Sequence, residues 1–213
     1  MHEKITEAIK RTFTEYKTQT ECVLALHFGV AEDKKAVAKQ LNDMIRANGT
    51  RLKTGFVGTP YLLHALAQNG YGDTAYDLLL QDKFPSWLYS VKQGATTIWE
   101  HWDGKNEKGE FWSKDMNSFN HYAYGSVADW VYEYALGINP CEEKPGFEKI
   151  VLEPHPTDKL DHLSARIETR RGTLISAWYR EGNSFRYEIT TPSPATVIID
   201  GVTHRVDKGS YLF

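Results

Sequence analysis

Two acids and two indoles stand close together near the middle of this 213-residue sequence. The group consists of Trp99, Glu100, His101, Trp102 and Asp103. Flat aromatic rings pack against the C–H faces of sugars, and carboxylates accept hydrogen bonds from hydroxyls or activate water. The group therefore indicates either a carbohydrate site or a loop whose tryptophans fill a core while its acids face solvent. A short motif does not decide between these two without its context.

A second candidate is His121, which shares a predicted helix face with Asn117. The alternative for a lone histidine on a mixed face is a structural role with satisfied hydrogen bonds. Three further groups, His155, Asp158 and His162, lack the spacing of a zinc site, and we expect no metal and no cofactor. The sequence also lacks the G-x-S-x-G pattern of a serine hydrolase.

Composition excludes several classes of partner. The net charge is −3 and no block of Lys or Arg occurs, so we expect no nucleic-acid binding. No apolar stretch is long enough to span a membrane, so no membrane association is expected. Cys22 and Cys141 form neither a disulfide framework nor a metal motif. No signal peptide follows Met1. The cellular location therefore stays open, and we expect a cytoplasmic protein if Met1 is the native start.

The hydrophobic pattern changes from helical to alternating along the chain. Helical periodicity predicts helices over 5–16, 20–30, 33–47, 61–68, 75–80 and, most clearly, 116–134. Alternation and turn residues predict strands over 149–152, 163–169, 173–179, 184–190, 195–199 and 203–206. We therefore expect a domain of antiparallel helices followed by a small antiparallel β-sandwich, with the change near 138–147.

Several segments occur together and in order, and as a set they resemble the C-terminal part of bacterial α-L-rhamnosidases, the inverting glycoside hydrolases of family 78. These segments are KTGFVGTPYLL (53–63), YDLLL (76–80), PSWLY (85–89), GATTIWE (94–100), NSFNHYAYG (117–125), PGF (145–147) and PHP (154–156). The resemblance covers essentially the whole chain.

The resemblance implies a fold and a site. Residues 1–140 would be the C-terminal portion of an (α/α)6 toroid of helical hairpins, and residues 141–213 a β-sandwich domain. Glu100 would be the general base of terminal α-L-rhamnoside hydrolysis, and His121 would contact the rhamnose. Trp99 would contact substrate or fix the loop, and Trp102 would shape the aglycone side. For Asp103 the position in the sequence leaves two roles open, orienting a substrate hydroxyl or capping the following loop. His101 stands where the family has an arginine, so the resemblance gives its side chain no role.

The stretch that carries the general acid in this family has no counterpart in the 213 residues. We therefore expect this chain to be a C-terminal fragment that is inactive by itself, because inversion needs two carboxyl groups. A partial toroid would expose apolar helix faces, so we also expect a homo-oligomer formed through residues 1–50. Two alternatives stay open: a non-catalytic carbohydrate-binding or structural remnant, and a different (α/α)6 hydrolase with the same base position.

Overall fold

The computed structural model describes residues 2–115 and 118–213. The chain folds into two compact units, Met1–Val127 and Ala128–Phe213. The first contains helices and loops, and the second contains strands after a short helical entry. The predicted order of a helical part before a β part is confirmed.

Six α-helices form most of the first unit. They are α1 (His2–Thr12), α2 (Gln19–His27), α3 (Lys34–Ala47), α4 (Thr59–Ala67), α5 (Gly72–Leu79) and α6 (Trp87–Lys92). The α6 helix was not predicted; the hydroxyl of Ser86 caps it by accepting a hydrogen bond from the N–H of Tyr89 at 3.1 Å. Among the described residues, no helix has the length and apolarity needed to cross a bilayer.

A capping box starts α2 and shows how local sequence fixes these helices. Thr18 Oγ1 accepts a hydrogen bond from the N–H of Glu21, and the Glu21 carboxylate accepts one from the N–H of Thr18. These two bonds satisfy donors that a helix start otherwise leaves unpaired. Burial of Cys22, Val23 and Leu26 then anchors the helix in the core of the first unit.

The glycine-punctuated loop at 54–58 is held against α2. The side chain of Gln19 donates to the carbonyl of Arg51 at 3.2 Å and accepts from the N–H of Lys53 at 2.7 Å. A Cβ atom at Gly58 would lie 2.9 Å from the hydroxyl of Thr20, so only glycine fits there without a shift. These contacts fix the loop that carries Phe56.

The long helix predicted over 116–134 is wrong in its first turns. Residues 118–121 are not helical, and the chain then forms a 3₁₀ turn (Tyr122–Ser126), helix α7 (Val127–Trp130) and a π-helical turn (Val131–Ala135). Backbone groups of Ser118 and His121 bond instead to residues 98–100, and this long-range pairing replaces the helical bonds that periodicity favoured. Asn117, predicted to share a face with His121, lies outside the described residues.

Eight strands in two sheets form the second unit. They are β1 (Ile138–Pro140), β2 (Ile150–Leu152), β3 (His162–Thr169), β4 (Gly172–Glu181), β5 (Ser184–Thr191), β6 (Ala195–Ile199), β7 (Val202–Val206) and β8 (Gly209–Leu212). The sheet orders are β1-β2-β6-β7 and β3-β4-β5-β8. Pairing is antiparallel except between β2 and β6, which are parallel because the chain crosses to the other sheet between them.

The two sheets share one apolar core. Ile150 and Val197 of one sheet pack in the same cluster as Leu174, Trp178 and Tyr187 of the other. Burial alternates along β6, as expected for a strand with one face in a core. The expected small β-sandwich is therefore confirmed, and the short strands β1 and β8 are added to it.

Candidate active site

Two chain segments far apart in sequence pair their backbones around Glu100. The N–H of Glu100 donates to the carbonyl of Ser118 at 2.9 Å, and the N–H of His121 donates to the carbonyl of Ile98 at 2.9 Å. The hydroxyl of Thr97 also donates to the carbonyl of Phe119. This pairing brings the two leading candidates, Glu100 and His121, into one local structure.

The carboxylate of Glu100 takes part in the same pairing. Its Oε2 accepts a hydrogen bond from the N–H of Ser118 at 3.0 Å, so the side chain is held in one orientation. A carboxylate has acceptor capacity on both oxygens, and this bond engages only Oε2. Glu100 is half-buried, which leaves it accessible to water and small ligands.

His121 is held by ring stacking. Its imidazole lies nearly parallel to the ring of Phe56, with centroids 4.6 Å apart and an interplanar angle of 12°. Nδ1 of this imidazole is buried and has no hydrogen-bond partner among the described residues. Because a buried polar atom without a partner is costly, Nδ1 is suited to bind a polar group of a ligand.

An aromatic stack continues from Phe56 to Trp102. The ring of Tyr124 lies 5.0 Å from that of Phe56 and stacks on Trp102 at 3.9 Å, and Trp102 meets Trp87 edge-on at 5.3 Å. The indole N–H of Trp87 donates to the carbonyl of Tyr124 at 2.8 Å. These contacts connect the 54–58 loop, α6, the Trp102 turn and the 3₁₀ turn.

Glu100 acts electrostatically on this stack. Burial raises the pKa of the Tyr124 phenol, and the negative charge of Glu100 raises it further because it opposes formation of a phenolate. Tyr124 therefore stays neutral beside the Glu100 carboxylate. The arrangement combines one fixed carboxylate, one imidazole and several aromatic faces, and the carboxylate is one of the two carboxyl groups that sugar hydrolysis uses.

Residues 2–135 match the family model described as the bacterial alpha-L-rhamnosidase 6 hairpin glycosidase domain. The chain belongs to the bacterial α-L-rhamnosidase family. Residues 137–209 match the C-terminal domain of the same family. The family accounts for the architecture of helical hairpins followed by β-sheets.

Relatives of the rhamnosidase family confirm this membership. An α-L-rhamnosidase of Streptomyces avermitilis is 39% identical over 181 residues, which are 84% of this chain and 17% of that protein. The crystal structure of Streptomyces avermitilis alpha-L-rhamnosidase complexed with L-rhamnose superposes with a TM-score of 0.90 at 33% identity, covering 99% of this chain and 23% of that one. The Aspergillus terreus enzyme gives 0.89 at 32% identity, with coverages of 100% and 26%. The chain thus spans about a fifth of the length of these rhamnosidases.

Two further predicted site residues, Trp99 and Asp103, differ in their exposure. Trp99 is only 6% exposed and meets Phe119 edge-on at 5.1 Å, which favours the loop-fixing role over a sugar contact. Asp103 is half-buried. Burial raises the pKa of the Tyr89 phenol, and the charges of Glu107 and Asp103 raise it further.

Sequence reasoning did not select Phe56 and Tyr124 as site residues. Phe56 lies in the glycine-punctuated loop and Tyr124 on the 3₁₀ turn, so neither is near Glu100 in sequence. A partial signal was present, because both residues lie in segments that resemble the family. Only the pairing of 98–100 with 118–121 shows that they surround His121 and Trp102.

Proposed function

We propose that this chain supplies the base-bearing part of an α-L-rhamnosidase active site that cleaves terminal α-L-rhamnosides with inversion. Glu100 would take a proton from a water molecule, and that water would attack the anomeric carbon on the face opposite the leaving group. The observation that carries this proposal is the fixed orientation of the Glu100 carboxylate by the N–H of Ser118. The L-rhamnose complex of the Streptomyces avermitilis relative supports the choice of sugar.

His121 and Trp102 would bind the substrate around this base. Nδ1 of His121 has no hydrogen-bond partner among the described residues and would pair with a rhamnose hydroxyl, and the Phe56 ring keeps the imidazole in place. Trp102 is stacked on Tyr124 and would shape the aglycone side of the site. Trp99 would fix the loop, and Asp103 would orient a substrate hydroxyl.

The decisive test replaces Glu100 in the complete enzyme, meaning a chain that contains these residues together with the family's general acid. We expect Glu100→Gln to lower kcat on an aryl α-L-rhamnoside by about 100-fold to 10,000-fold, the usual range for general base catalysis. The glutamine side chain can still accept from the N–H of Ser118, so the loop should keep its structure.

The matched control is Glu107→Gln, an exposed acid in the following loop. It should retain the kcat of the unaltered enzyme. If Glu100→Gln turned over at a near-normal rate, Glu100 would not be the base.

The stereochemistry of azide rescue tests inversion. Any azide adduct formed by the Glu100→Gln enzyme should be the β-anomer, because azide replaces the water that attacks opposite the leaving group. An α-anomer would contradict inversion.

We also propose that the 213-residue chain is inactive when isolated. Inversion requires a protonated carboxyl on one side of the scissile bond and a carboxylate on the other, and the site supplies Glu100 as the second of these. The purified chain should give no rhamnose release above the uncatalysed rate in a coupled assay. Detectable, Glu100-dependent hydrolysis by the isolated chain would overturn this proposal.

A further inference from the structure

The exposed indole of Trp112 lies in the loop that follows the Glu100 segment. Trp112 is 51% exposed, although its ring lies flat on the imidazole of His101, with centroids 3.8 Å apart and an interplanar angle of 15°. Because one face of the indole rests on His101, the exposed part comprises the opposite face and the edges. An exposed aromatic face is a typical binding surface for another flat apolar face.

The loop that carries Trp112 is held in place by its own hydrogen bonds. Lys105 and Phe111 form an antiparallel bridge, and the N–H of Trp112 donates to the carbonyl of Gly104 at 3.3 Å. The side chain of Asn106 accepts hydrogen bonds from the N–H groups of Lys108 at 2.9 Å and Glu110 at 3.0 Å. The indole is therefore preorganised, which lowers the entropy cost of binding a ligand.

The imidazole of His101 supports one face of the Trp112 indole. Its Nε2 is buried and has no partner within the part of the chain that the structure describes. Stacking on Trp112 is a contact that holds the imidazole in position. His101 follows Glu100 directly in sequence, so the support of the platform belongs to the same chain segment as the carboxylate.

Further aromatic contacts connect this loop to the Glu100 segment. The ring of Phe119 lies 5.7 Å from that of Phe111 and meets Trp99 edge-on at 5.1 Å. The ammonium group of Lys105 lies 5.5 Å from the centroid of Phe111 and 5.7 Å from that of Phe119. A cation and aromatic faces therefore lie together, and Phe119 is next in sequence to Ser118, whose N–H holds the Glu100 carboxylate.

We infer that Trp112, supported by His101, forms the platform that binds the leaving group of the rhamnoside. The ligand it suits has a flat apolar face, either an aromatic ring or the C–H face of a second pyranose. This inference rests on the proposed function, because a leaving group exists only if Glu100 serves a glycosidase. It makes Trp112 a specificity-determining residue of that reaction.

The first test compares leaving groups of different size on the complete enzyme. Substrates are α-L-rhamnosyl fluoride, whose leaving group is a single atom, 4-nitrophenyl α-L-rhamnoside and a rhamnosyl-(1→6)-glucose. We expect Trp112→Ala to lower kcat/KM about fivefold to tenfold on one or both larger substrates, a typical effect of one aromatic contact, and to leave the fluoride unaffected. Trp112→Phe, which retains a flat ring, should recover most of the loss.

The pattern of the losses decides the outcome. An aryl-specific loss identifies an aromatic leaving group, and a loss confined to the disaccharide identifies a sugar. Equal losses on all three substrates, or no loss on any, would overturn the inference. Val202→Ala, which trims an exposed apolar side chain of the second unit, is the control and should change none of the three.

A second test keeps the inference separate from the proposed function. In the 213-residue chain, the indole N–H signal of Trp112, assigned through Trp112→Phe, should shift on titration with 4-nitrophenyl α-L-rhamnoside or the disaccharide. L-rhamnose alone should leave it in place. If the complete enzyme hydrolyses no rhamnoside, the proposed function is wrong. This titration then tests by itself whether Trp112 binds a flat apolar ligand. An unmoved Trp112 signal at millimolar ligand would rule the platform out.

Discussion

At the scale of single residues, the site depends on what each polar group contacts. Glu100 is oriented by one backbone N–H, whereas His121 is positioned by the ring of Phe56 and keeps Nδ1 unpaired among the described residues. Both residues could be selected from the sequence, because their types and their resemblance to a known family point to chemistry. Phe56 could not, because its role comes from stacking on a histidine 65 positions later in the chain.

The two cysteines give a residue-scale prediction. Cys22 is fully buried on α2, and Cys141 is partly exposed. At pH 8 a thiol reagent should quickly label Cys141 in the folded chain. Cys22 should react only in denaturant, because a buried thiol is shielded from the reagent and stays protonated. Cys141→Ser should abolish the fast reaction. Rapid labelling of that folded variant would contradict the burial of Cys22.

The same thiol predicts how stability depends on pH. Burial, followed by the charge of Glu21, raises the pKa of Cys22 to about 11 from an ordinary value of 9.0. The folded state therefore favours the neutral thiol, and this contribution is complete below pH 9 and is lost as the pH rises toward 11. Urea unfolding midpoints should fall over that interval more steeply in the native sequence than in Cys22→Ala. Equal slopes would show that the thiol does not contribute.

At the scale of elements, long-range pairing decides where helices begin. Apolar spacing predicted one helix from residue 116, but the backbone of 118–121 bonds to 98–100 and the helical turns begin at Tyr122. Periodicity reports which side chains face a core, and it does not report backbone pairing with a distant segment. Strands with clear alternation, such as β5 and β6, were predicted within a residue or two of their observed ends.

Gly137 provides an element-scale prediction at the entry to the β-sandwich. It has a φ of +66°, and an added Cβ would lie 2.0 Å from the backbone carbonyl carbon of Glu153. Gly137→Ala should therefore destabilise the second unit by about 4 kcal/mol or more, at the upper end for single substitutions. Equilibrium urea unfolding followed by near-ultraviolet circular dichroism would measure the change.

Gly146→Ala is the matched control for this prediction. Gly146 has a φ of +70° and no atom within 4 Å of an added Cβ. Gly146→Ala should therefore lower the free energy of unfolding by only about 1–2 kcal/mol, the cost of a left-handed backbone for alanine. Equal losses for the two variants would show that the close approach to Glu153 does not matter. The sequence pattern changes from helical to alternating after Gly137, but the contact with Glu153 depends on the register of β1 and β2.

At the scale of the whole molecule, each compact unit matches one domain of the rhamnosidase family, and the chain spans about a fifth of the length of its relatives. The predicted domain boundary at residue 140 stays a prediction. The first unit carries Glu100, the proposed base, and its aromatic surroundings. The proposed activity is therefore a property of the complete enzyme, and we propose that the isolated chain is inactive.

The surface of the first unit favours self-association, which we propose for the isolated chain. None of the described side chains of α1 is buried, and Phe13 and Phe28 are 60% and 61% exposed. Both phenylalanines line an apolar groove of about 300 Å³ together with Leu24 and Ile9. Apolar patches of this kind are normally covered by another protein surface, and a second copy of this chain offers the same patch.

Sedimentation velocity tests this proposal. The sedimentation coefficient of the native chain should rise with concentration across the micromolar range, as expected for a reversible homo-oligomer. The double substitution Phe13→Glu and Phe28→Glu should keep the chain monomeric, because burying two carboxylates in the contact is costly. Val202→Glu, at an exposed apolar position of the second unit, should leave the association unchanged. A monodisperse native monomer at micromolar concentration would mean that residues 1–50 do not mediate self-association.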